Sequence, residues 1–325
     1  MAGETRLVLD VDTGTDDAVA IMLAALHPSL DLVGVSTASG NVPLANATEN
    51  TLRVLDHIDR SEIPVYPGAA APLARTDLPV PRAVRDQVGD IHPPLLELPP
   101  SRSTPRTTLA AIYLIERFRA ARESGEPLVL VATAPLTNLA LALKVDPEFG
   151  ANIGRLVIMG GGHEAANVTA SAEFNFWADP EAASVVLGSD IQDVTLVPLD
   201  ATHRALVSLD DCRRLRELGT PAAVATAAMM ETRIRAYDAS QPMEQAGTAP
   251  LHDALCVAHL VNESVIACRP YHVEVETVGP LTVGRSIVDT HHRSGKQPNA
   301  KVAFDADPRQ FVSLLLETFA NQPTG

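Results

Sequence analysis

The chain has 325 residues, of which 46% are hydrophobic and 20% are charged, and its formal net charge is −15. This composition is typical of a globular protein and excludes a disordered chain. The negative charge argues against nucleic acid as a ligand, because binding to phosphate backbones requires a basic face. No apolar run could span a bilayer, no signal peptide is evident, and the three cysteines lack metal-binding spacing. We therefore expect a cytoplasmic protein without a membrane partner.

The first predicted elements are a buried strand and an amphipathic helix, joined by a glycine turn. Residues 7–9 form an apolar run typical of buried parallel strands, and this run leads into Asp10 and Asp12. Asp16 and Asp17 open the helix, where acidic side chains suit the positive end of the helix dipole. Four carboxylates are thus predicted at the carboxyl end of one strand, where open α/β sheets bind ligands.

This group of aspartates predicts a cation site. Carboxylates so close together repel one another unless they share protons or surround a cation. A single aspartate here would be explained as a helix cap or a turn residue, but four unpaired buried carboxylates would be too costly. A site made only of oxygen ligands selects a hard ion, so calcium or magnesium is expected rather than zinc.

The next elements continue an α/β pattern. Strands are predicted over residues 32–36 and 63–66, with a helix over 46–58 between them, which completes a βαβαβ unit with a parallel sheet. Asn41 follows the second strand at the same sheet edge as the aspartates, although a turn asparagine is an equally good interpretation. Residues 67–106 lack periodicity and are expected to form a lid or substrate-facing loop. Arg85, Asp86, Asp90 and His92 lie in this loop.

Two central strands are predicted to end in residues suited to ligand binding. Residues 128–133 form a strand that ends in Thr133, whose carbonyl could reach a cation, although an ordinary strand-end threonine is the simpler interpretation. Residues 156–159 form a strand that runs into three glycines, which let backbone approach a ligand closely. These glycines lack the Gly-Lys-Ser/Thr ending of a phosphate loop.

A polar loop follows the glycines and contains Asn167, Glu173 and Asn175. Their side chains offer both hydrogen-bond donors and acceptors, which suits a polyhydroxylated ligand, although a solvated loop is the simple alternative. A further strand is predicted over residues 194–198, ending at Asp200.

The C-terminal third combines helices with short strands. Helices are predicted over residues 209–218, 222–237, 254–261 and 308–319. A loop over residues 238–251 leads to His252 and Asp253, which by type alone fit a structural neighbour and a helix cap. Residues 282–286 and 301–304 look like two antiparallel strands joined by a turn-rich segment.

Together these elements predict an α/β fold with a mostly parallel, Rossmann-like sheet flanked by helices and a small antiparallel extension near the C-terminus. No internal repeat or linker marks a boundary, so residues 1–325 are expected to form a single domain.

Several motifs occur in a fixed order along the chain, and together they carry a family resemblance. They are residues 10–17, 39–41, 132–138, 157–162, 172–175, 179–183, 200–203 and 252–253. Asp10-Val-Asp-Thr-Gly-Thr-Asp-Asp17 resembles the DxDxGxDD signature of the inosine–uridine-preferring nucleoside hydrolases, and the resemblance extends from residue 7 to about residue 319. It implies calcium-dependent hydrolysis of the N-glycosidic bond of ribonucleosides to ribose and free base, in purine or pyrimidine salvage. It also implies a homo-oligomer, either a dimer or a tetramer.

The resemblance further implies a role for each site residue. Calcium would be held by Asp12, Asp16, Asp17, Asp253 and the carbonyl of Thr133. The ion would bind two ribose hydroxyls and one water, from which Asp12 would take a proton. The sugar would be bound by Asp16, Asn41, Met159, Asn167, Glu173, Asn175 and Asp253. His252 is the candidate for protonating the leaving base, and Asp10 is expected to support the loop rather than bind the metal.

Two stretches depart from the family pattern, and both lie where the nucleobase is expected. Many members carry a His-Gly-x-x-Gly-like motif in the early loop, whereas residues 83–89 contain no His-Gly. Residues 238–251 lack the tyrosines or tryptophans that some members place against the base. Metal and sugar binding are therefore predicted, and the base preference is left open.

Three alternatives fit parts of the same pattern. Asp10-Val-Asp12 resembles the start of phosphatases that use an aspartyl nucleophile, but Gly14 stands where those enzymes carry threonine or valine, and lysine is scarce. The substrate could be another N-riboside, such as a nicotinamide or modified-base nucleoside. A non-catalytic nucleoside- or ribose-binding protein is the third alternative, against which the intact aspartates argue.

Overall fold

The computed structural model describes residues 4–75 and 91–322. Its central sheet contains the strands β1 (Thr5–Val11), β2 (Leu30–Thr37), β3 (Val65–Pro67), β4 (Val129–Ala132), β5 (Arg155–Met159), β6 (Val194–Val197), β9 (Ile266–Tyr271) and β12 (Ala300–Ala306). These eight strands lie in the order β3-β2-β1-β4-β5-β6-β12-β9. Every pairing is parallel except that of β12 with β9.

Two small antiparallel sheets and a set of helices complete the described fold. The small sheets pair β7 (Leu206–Ser208) with β8 (Thr248–Pro250), and β10 (Val273–Val275) with β11 (Ser286–Val288). The helices are α1 (Thr15–Leu26), α2 (Leu44–His57), α3 (Ala110–Ser124), α4 (Thr137–Val145), α5 (Phe149–Asn152), α6 (Phe174–Ala178), α7 (Pro180–Leu187), α8 (Leu199–Thr202), α9 (Leu209–Glu217), α10 (Pro221–Ser240), α11 (His252–Val261) and α12 (Pro308–Ala320).

The core-facing stretches of the central strands are mostly apolar because helices cover both faces of the sheet. In β1, Leu7 and Leu9 point into one core and Val8 into the other. All three are fully buried, so the strand reads as a continuous hydrophobic run rather than an alternating one. This pattern confirms the predicted α/β fold with a mostly parallel sheet.

The strand order reverses beside β1, and this reversal positions the candidate site. β1 pairs in parallel with β2 on one side and with β4 on the other. The carboxyl ends of these strands lie side by side, with Val11 opposite Thr37 and Asp10 opposite Ala132. Open α/β sheets bind ligands in the crevice at such a switch point.

Several predictions about the strands are wrong, and four strands, β7 to β10, were not predicted. The predicted strand over residues 282–286 is wrong except for Ser286, where β11 begins. Residues 301–304 lie in β12, but β12 joins the central sheet beside β6, whereas β11 pairs with β10. Residue alternation indicates that a strand exists but does not identify its partner. Likewise, β8 lies within residues 238–251, which were predicted to form a loop throughout.

The strand predicted to reach Asp200 ends earlier. β6 ends at Val197, and Asp200 lies in the first turn of α8. Pro198 separates the two elements, and its missing N–H explains why the ladder stops there.

No helix in the two described ranges combines the length and the apolar character needed to cross a lipid bilayer. The expected lid over residues 67–106 is described only in part. Arg85, Asp86 and Asp90 lie outside the described residues, as does the stretch 83–89 that departs from the family motif.

Candidate functional site

Three aspartates converge at the carboxyl edge of the sheet. Asp16 and Asp17 lie in the first turn of α1, and Asp253 lies in the first turn of α11. Each offers a carboxylate oxygen, and these atoms all lie within 4.8 Å of one another. All three residues are buried, and the Oδ1 atom of Asp16 has no hydrogen-bond partner among the described residues. An all-oxygen set with an unsatisfied buried acceptor fits a hard divalent cation.

The electrostatics of this acidic cluster also favour a cation. Burial, followed by the charge of Asp16, raises the pKa of Asp17 to about 6 and raises the pKa of Asp253 well above its usual range. Burial alone would raise the pKa of Asp16 too, but Arg233, His92, His252 and a backbone N–H together outweigh it and lower this pKa to about 2, with Arg233 the largest of the four. A cation among these groups would favour the charged form of all three carboxyls.

Asp12 lies beside the cluster and is held by Asn41. Its Oδ2 atom accepts a hydrogen bond from the backbone N–H of Asn41 at 2.5 Å, and its Oδ1 atom accepts one from the side-chain amide at 3.1 Å. The same amide lies 3.4 Å from Oδ2 of Asp17. Burial, followed by the charge of Asp17, raises the pKa of Asp12 well above its usual range. The carboxylate therefore has a fixed orientation next to the acidic cluster.

Residues at the ends of β4 and β5 connect the cluster to the neighbouring loops. Thr133 follows β4, and its hydroxyl donates to Oδ1 of Asp17 at 2.8 Å. Its carbonyl accepts a hydrogen bond from the Asn175 amide at 2.7 Å, and this amide also lies 3.2 Å from the Met159 carbonyl at the end of β5. The predicted metal ligand Thr133 and two predicted sugar-binding residues are thus in direct contact.

Glu173 and Asn167 hold the polar loop in place. Glu173 caps α6, and its carboxylate accepts from the backbone N–H groups of Gly161 and of the first turn of that helix. Burial raises the pKa of Glu173 to about 7, although these N–H groups oppose the shift. The side-chain oxygen of Asn167 accepts from the backbone N–H of Phe174 at 2.9 Å. Both residues therefore shape the loop as well as facing the cavity.

A cavity of about 250 Å³ brings the predicted residues together. Of the eleven predicted site residues, nine line it: Asp16, Asn41, Thr133, Met159, Asn167, Glu173, Asn175, His252 and Asp253. The other two, Asp12 and Asp17, lie directly behind this lining, in contact with Asn41 and Thr133. Their individual roles stay predictions, but the structure places all eleven around one space.

His252 sits in this wall between two hydroxyl groups. Its Nε2 atom lies 2.8 Å from the Tyr237 hydroxyl, and its Nδ1 atom lies 2.7 Å from the Thr202 hydroxyl. Burial, followed by the charge of Arg233, holds the pKa of His252 well below its usual range. The neutral ring has a single N–H, so one hydroxyl donates to it and the other accepts from it.

The sequence did not single out several residues of the wall. They are Ile91, Val168, Phe174, Arg233, Tyr237, Ser240 and Gln241. Arg233 and Tyr237 lie four residues apart on α10 and hence on one helix face. An arginine within the alanine- and methionine-rich part of this helix was the available signal, because a charged side chain on a buried face needs a partner. Residues 238–251 contain no tyrosine, but Tyr237, which directly precedes them on α10, lines the cavity.

The early loop contributes His92 to the cavity. Its Nδ1 atom lies 3.3 Å from the backbone N–H of Thr15 and 3.7 Å from Oδ1 of Asp16. Burial lowers the pKa of His92 to about 4, so the ring is neutral at pH 7 and accepts from Thr15. A histidine from this loop therefore reaches the site although the predicted loop lacks the His-Gly motif.

Asp10 lies beneath the turn and outside the acidic cluster. Its Oδ1 atom accepts from the Ser36 hydroxyl at 2.6 Å and from the Asn138 amide at 2.8 Å. Its backbone carbonyl accepts from the N–H of Thr133 at 2.8 Å. Asp10 thus ties β1 to β2 and β4 directly below the site residues.

Comparison with known proteins identifies the family. A family model described as inosine-uridine preferring nucleoside hydrolase matches residues 7–313. The chain belongs to this nucleoside hydrolase family. Membership confirms the predicted family and enzyme class, and it excludes the aspartyl phosphatase alternative.

Known members of the family resemble the chain over nearly its whole length. A pyrimidine-specific ribonucleoside hydrolase RihA from Shewanella sp. (strain MR-7) is 37% identical over 97% of this chain and 96% of its own. The protein of the same name from Escherichia coli O7:K1 is 37% identical over 96% of this chain and 97% of its own. The solved structure of a purine-preferring ribonucleoside hydrolase from Gardnerella vaginalis superposes with a TM-score of 0.87, at 30% identity, covering 98% of this chain and 99% of that one.

Proposed function

We propose that this protein is a calcium-dependent ribonucleoside hydrolase, built as a single domain, that cleaves the N-glycosidic bond to give ribose and free base. The observation that carries the proposal is the convergence of carboxylate oxygens from Asp16, Asp17 and Asp253 within 4.8 Å, with Asp16 and Asp253 lining the cavity. Family membership makes nucleoside hydrolysis the chemistry to which such a site is suited.

The residues present fit a calcium ion. It would be held by Asp12, Asp16, Asp17, Asp253 and the carbonyl of Thr133. Support comes from the partnerless Oδ1 atom of Asp16 and from the raised pKa values of its neighbours, since both mark buried acceptors that need positive charge. When bound, calcium would orient two ribose hydroxyls and a water and lower the pKa of that water.

Asp12 is the proposed general base. It would take the proton from the attacking water and become neutral. Its buried position and raised pKa suit this role, because a general base works best when its pKa lies near the operating pH. The two hydrogen bonds from Asn41 hold the carboxylate in one orientation, so little reorganisation is needed during the reaction.

The polar wall of the cavity is proposed to bind the sugar. Its residues are Asn41, Asn167, Glu173 and Asn175, with Met159 against the sugar face and with Asp16 and Asp253 as acceptors. Cleavage of a glycosidic bond passes through an oxocarbenium-like state. Binding energy from hydroxyls remote from the leaving base can hold the ribose distorted towards that state.

The leaving base is proposed to receive a hydrogen bond from the chain Tyr237–His252–Thr202. His252 is neutral at pH 7, so these three hydrogen-bonded side chains act through a shared proton rather than through a charged imidazolium. Both Tyr237 and His252 line the cavity, which supports a contact between these side chains and a bound base.

The direct test is ribose release from a panel of purine and pyrimidine ribonucleosides, with nicotinamide riboside included. The named relatives differ in base preference, so the panel must contain both classes. We expect ribose and free base in equal amounts. Release from nicotinamide riboside alone would favour the other-riboside alternative. Tight nucleoside binding without ribose would favour a binding protein and overturn the hydrolase proposal. A cytoplasmic location and a dimer or tetramer stay predictions, the latter testable by light scattering.

A further inference from the structure

Arg233 is a fully buried cation at the edge of the acidic cluster. Its side chain is 1% exposed and lies on α10, far in sequence from the motif aspartates. The guanidinium donates to Oδ2 of Asp16 at 2.9 Å and to the Thr15 hydroxyl at 3.1 Å. It also donates to the Pro250 carbonyl at 2.7 Å and lies 3.4 Å from the Tyr237 hydroxyl. One side chain therefore joins α1, α10 and the strand that precedes His252 and Asp253.

Arg233 binds only one of the two carboxylate oxygens of Asp16. Oδ2 is taken by the guanidinium, whereas Oδ1 has no hydrogen-bond partner among the described residues. Among the salt bridges of the described chain, that of Arg233 is the only one from a lysine or arginine to Asp16, Asp17 or Asp253. The cluster thus contains one resident positive charge for three buried carboxylates, which is less than their ionised forms require.

We propose that Arg233 is a positioning residue and a resident counter-cation of the acidic cluster. It fixes Asp16 through Oδ2, leaves Oδ1 free for a metal ion or a sugar hydroxyl, and keeps the carboxylates together when no metal is bound. This inference rests on the metal site of the proposed function.

A consequence distinguishes this role from simple packing. Arg233 and a divalent cation stabilise the same carboxylates but repel each other, so each contributes most when the other is absent. Removing the charge of Arg233 should therefore destabilise the metal-free protein more than the calcium-bound protein. A buried ion pair that serves only packing would be equally important in both states.

The experiment compares substitutions that separate charge from shape. Arg233→Met and Arg233→Gln remove the charge and retain much of the stem, whereas Arg233→Lys retains the charge and loses most of the four contacts. Arg235→Met is the matched control, because Arg235 lies on the exposed side of the same helix. Thermal unfolding of each full-length protein is measured in a calcium chelator and in saturating calcium. Calorimetry gives the calcium dissociation constant.

We expect the neutral variants to lose more thermal stability in chelator than in calcium, and to bind calcium more tightly by a factor on the order of ten. Arg233→Lys keeps the charge but loses contacts that position Asp16, so it should bind calcium no more tightly than the wild type. Arg235→Met should match the wild type throughout. If Arg233→Met does not fold, the comparison with an uncharged side chain uses Arg233→Gln instead. Equal losses in both media with unchanged calcium affinity, or weaker calcium binding by the neutral variants, would overturn the counter-cation role.

Ribose release by the wild type is measured alongside these variants. If the wild type releases ribose, but calcium neither binds these proteins nor changes their thermal stability, the role of Arg233 is overturned and nucleoside hydrolysis stands. The expected calcium coupling without ribose from any substrate would support Arg233 and overturn the proposed function.

Discussion

The two ends of the cavity are built in different ways. At the acidic end, Asp12, Asp16 and Asp17 come from six consecutive residues that follow one strand, and Asp253 joins them from the start of α11. The part of the wall proposed to face the base, called here the opposite end, combines Phe174 from α6 with His252 and the last turn of α10. His92 and Arg233 lie between the two, because both approach Asp16. The acidic end is fixed by the sheet, whereas the other end depends on how separate elements pack together.

This difference bears on the chemistry that each end is proposed to perform. Metal and sugar binding require carboxylates held within about 0.5 Å of one geometry, which a strand end and a helix N-terminus provide. Recognition of the base can vary among relatives without disturbing that geometry, because its residues come from other elements. The named relatives, which are pyrimidine-specific in one case and purine-preferring in another, are consistent with such a division.

The largest effect is expected from a change at the acidic end. Asp12→Asn removes the proposed base while leaving its shape, so turnover of the best nucleoside should fall about 10²- to 10⁴-fold. Calcium binding, measured by calorimetry, should persist, because the three clustered aspartates are unchanged. Near-wild-type turnover with calcium bound would show that Asp12 is not the base.

A smaller and more selective effect is expected at the opposite end. His252→Ala should slow hydrolysis of a natural nucleoside by about 10²-fold, but should slow p-nitrophenyl riboside by less than about tenfold, because that leaving group needs no proton. Tyr237→Phe should act in the same direction more weakly, since it removes only the hydroxyl bonded to His252.

The control for the tyrosine change is Tyr113→Phe, which alters a buried tyrosine on α3, away from the cavity. Equal losses on both substrates for His252→Ala would mean that His252 supports the site as a whole and does not assist the leaving base.

The smallest effect is expected from Asp10, which lies beneath the acidic end, and it concerns the pH dependence of stability. Burial raises the pKa of Asp10 to about 6, so the folded state binds this proton more tightly than the unfolded state does. The resulting stability is present at low pH and is lost as the pH rises towards about 6. Asp10→Asn removes this dependence, because its amide does not titrate. The free energy of unfolding of Asp10→Asn, measured relative to that of the wild type, should therefore rise by on the order of 1 kcal/mol from about pH 5 to about pH 7.

Denaturant unfolding in chelator at the two pH values measures this gain, with Asp210→Asn at an exposed position as the control. A constant difference between Asp10→Asn and the wild type would show that Asp10 is ionised in the folded protein across this range.

The sequence predicted the acidic end well because its information is local. An apolar run, a glycine and adjacent aspartates predict a strand, a turn and a helix start within a few residues. Placing Asp253 and Asn175 beside them required the family resemblance, since no local pattern brings residues that far apart together.

The remaining residues could not be predicted because their contacts depend on packing. Arg233 sits on a predicted helix, but only the packing of α10 against α1 shows that it meets Asp16. In the same way, residues 301–304 were predicted as a strand with the wrong neighbour, because the partner of a strand is decided by tertiary contacts.

The most direct test of the central claim is a calcium titration of the metal-stripped protein, with ribose release and calcium occupancy measured on the same samples. We predict no release above background without metal, and a rate that rises in proportion to the binding of one calcium ion per chain. Full ribose release in chelator, with elemental analysis showing no bound metal, would contradict the account.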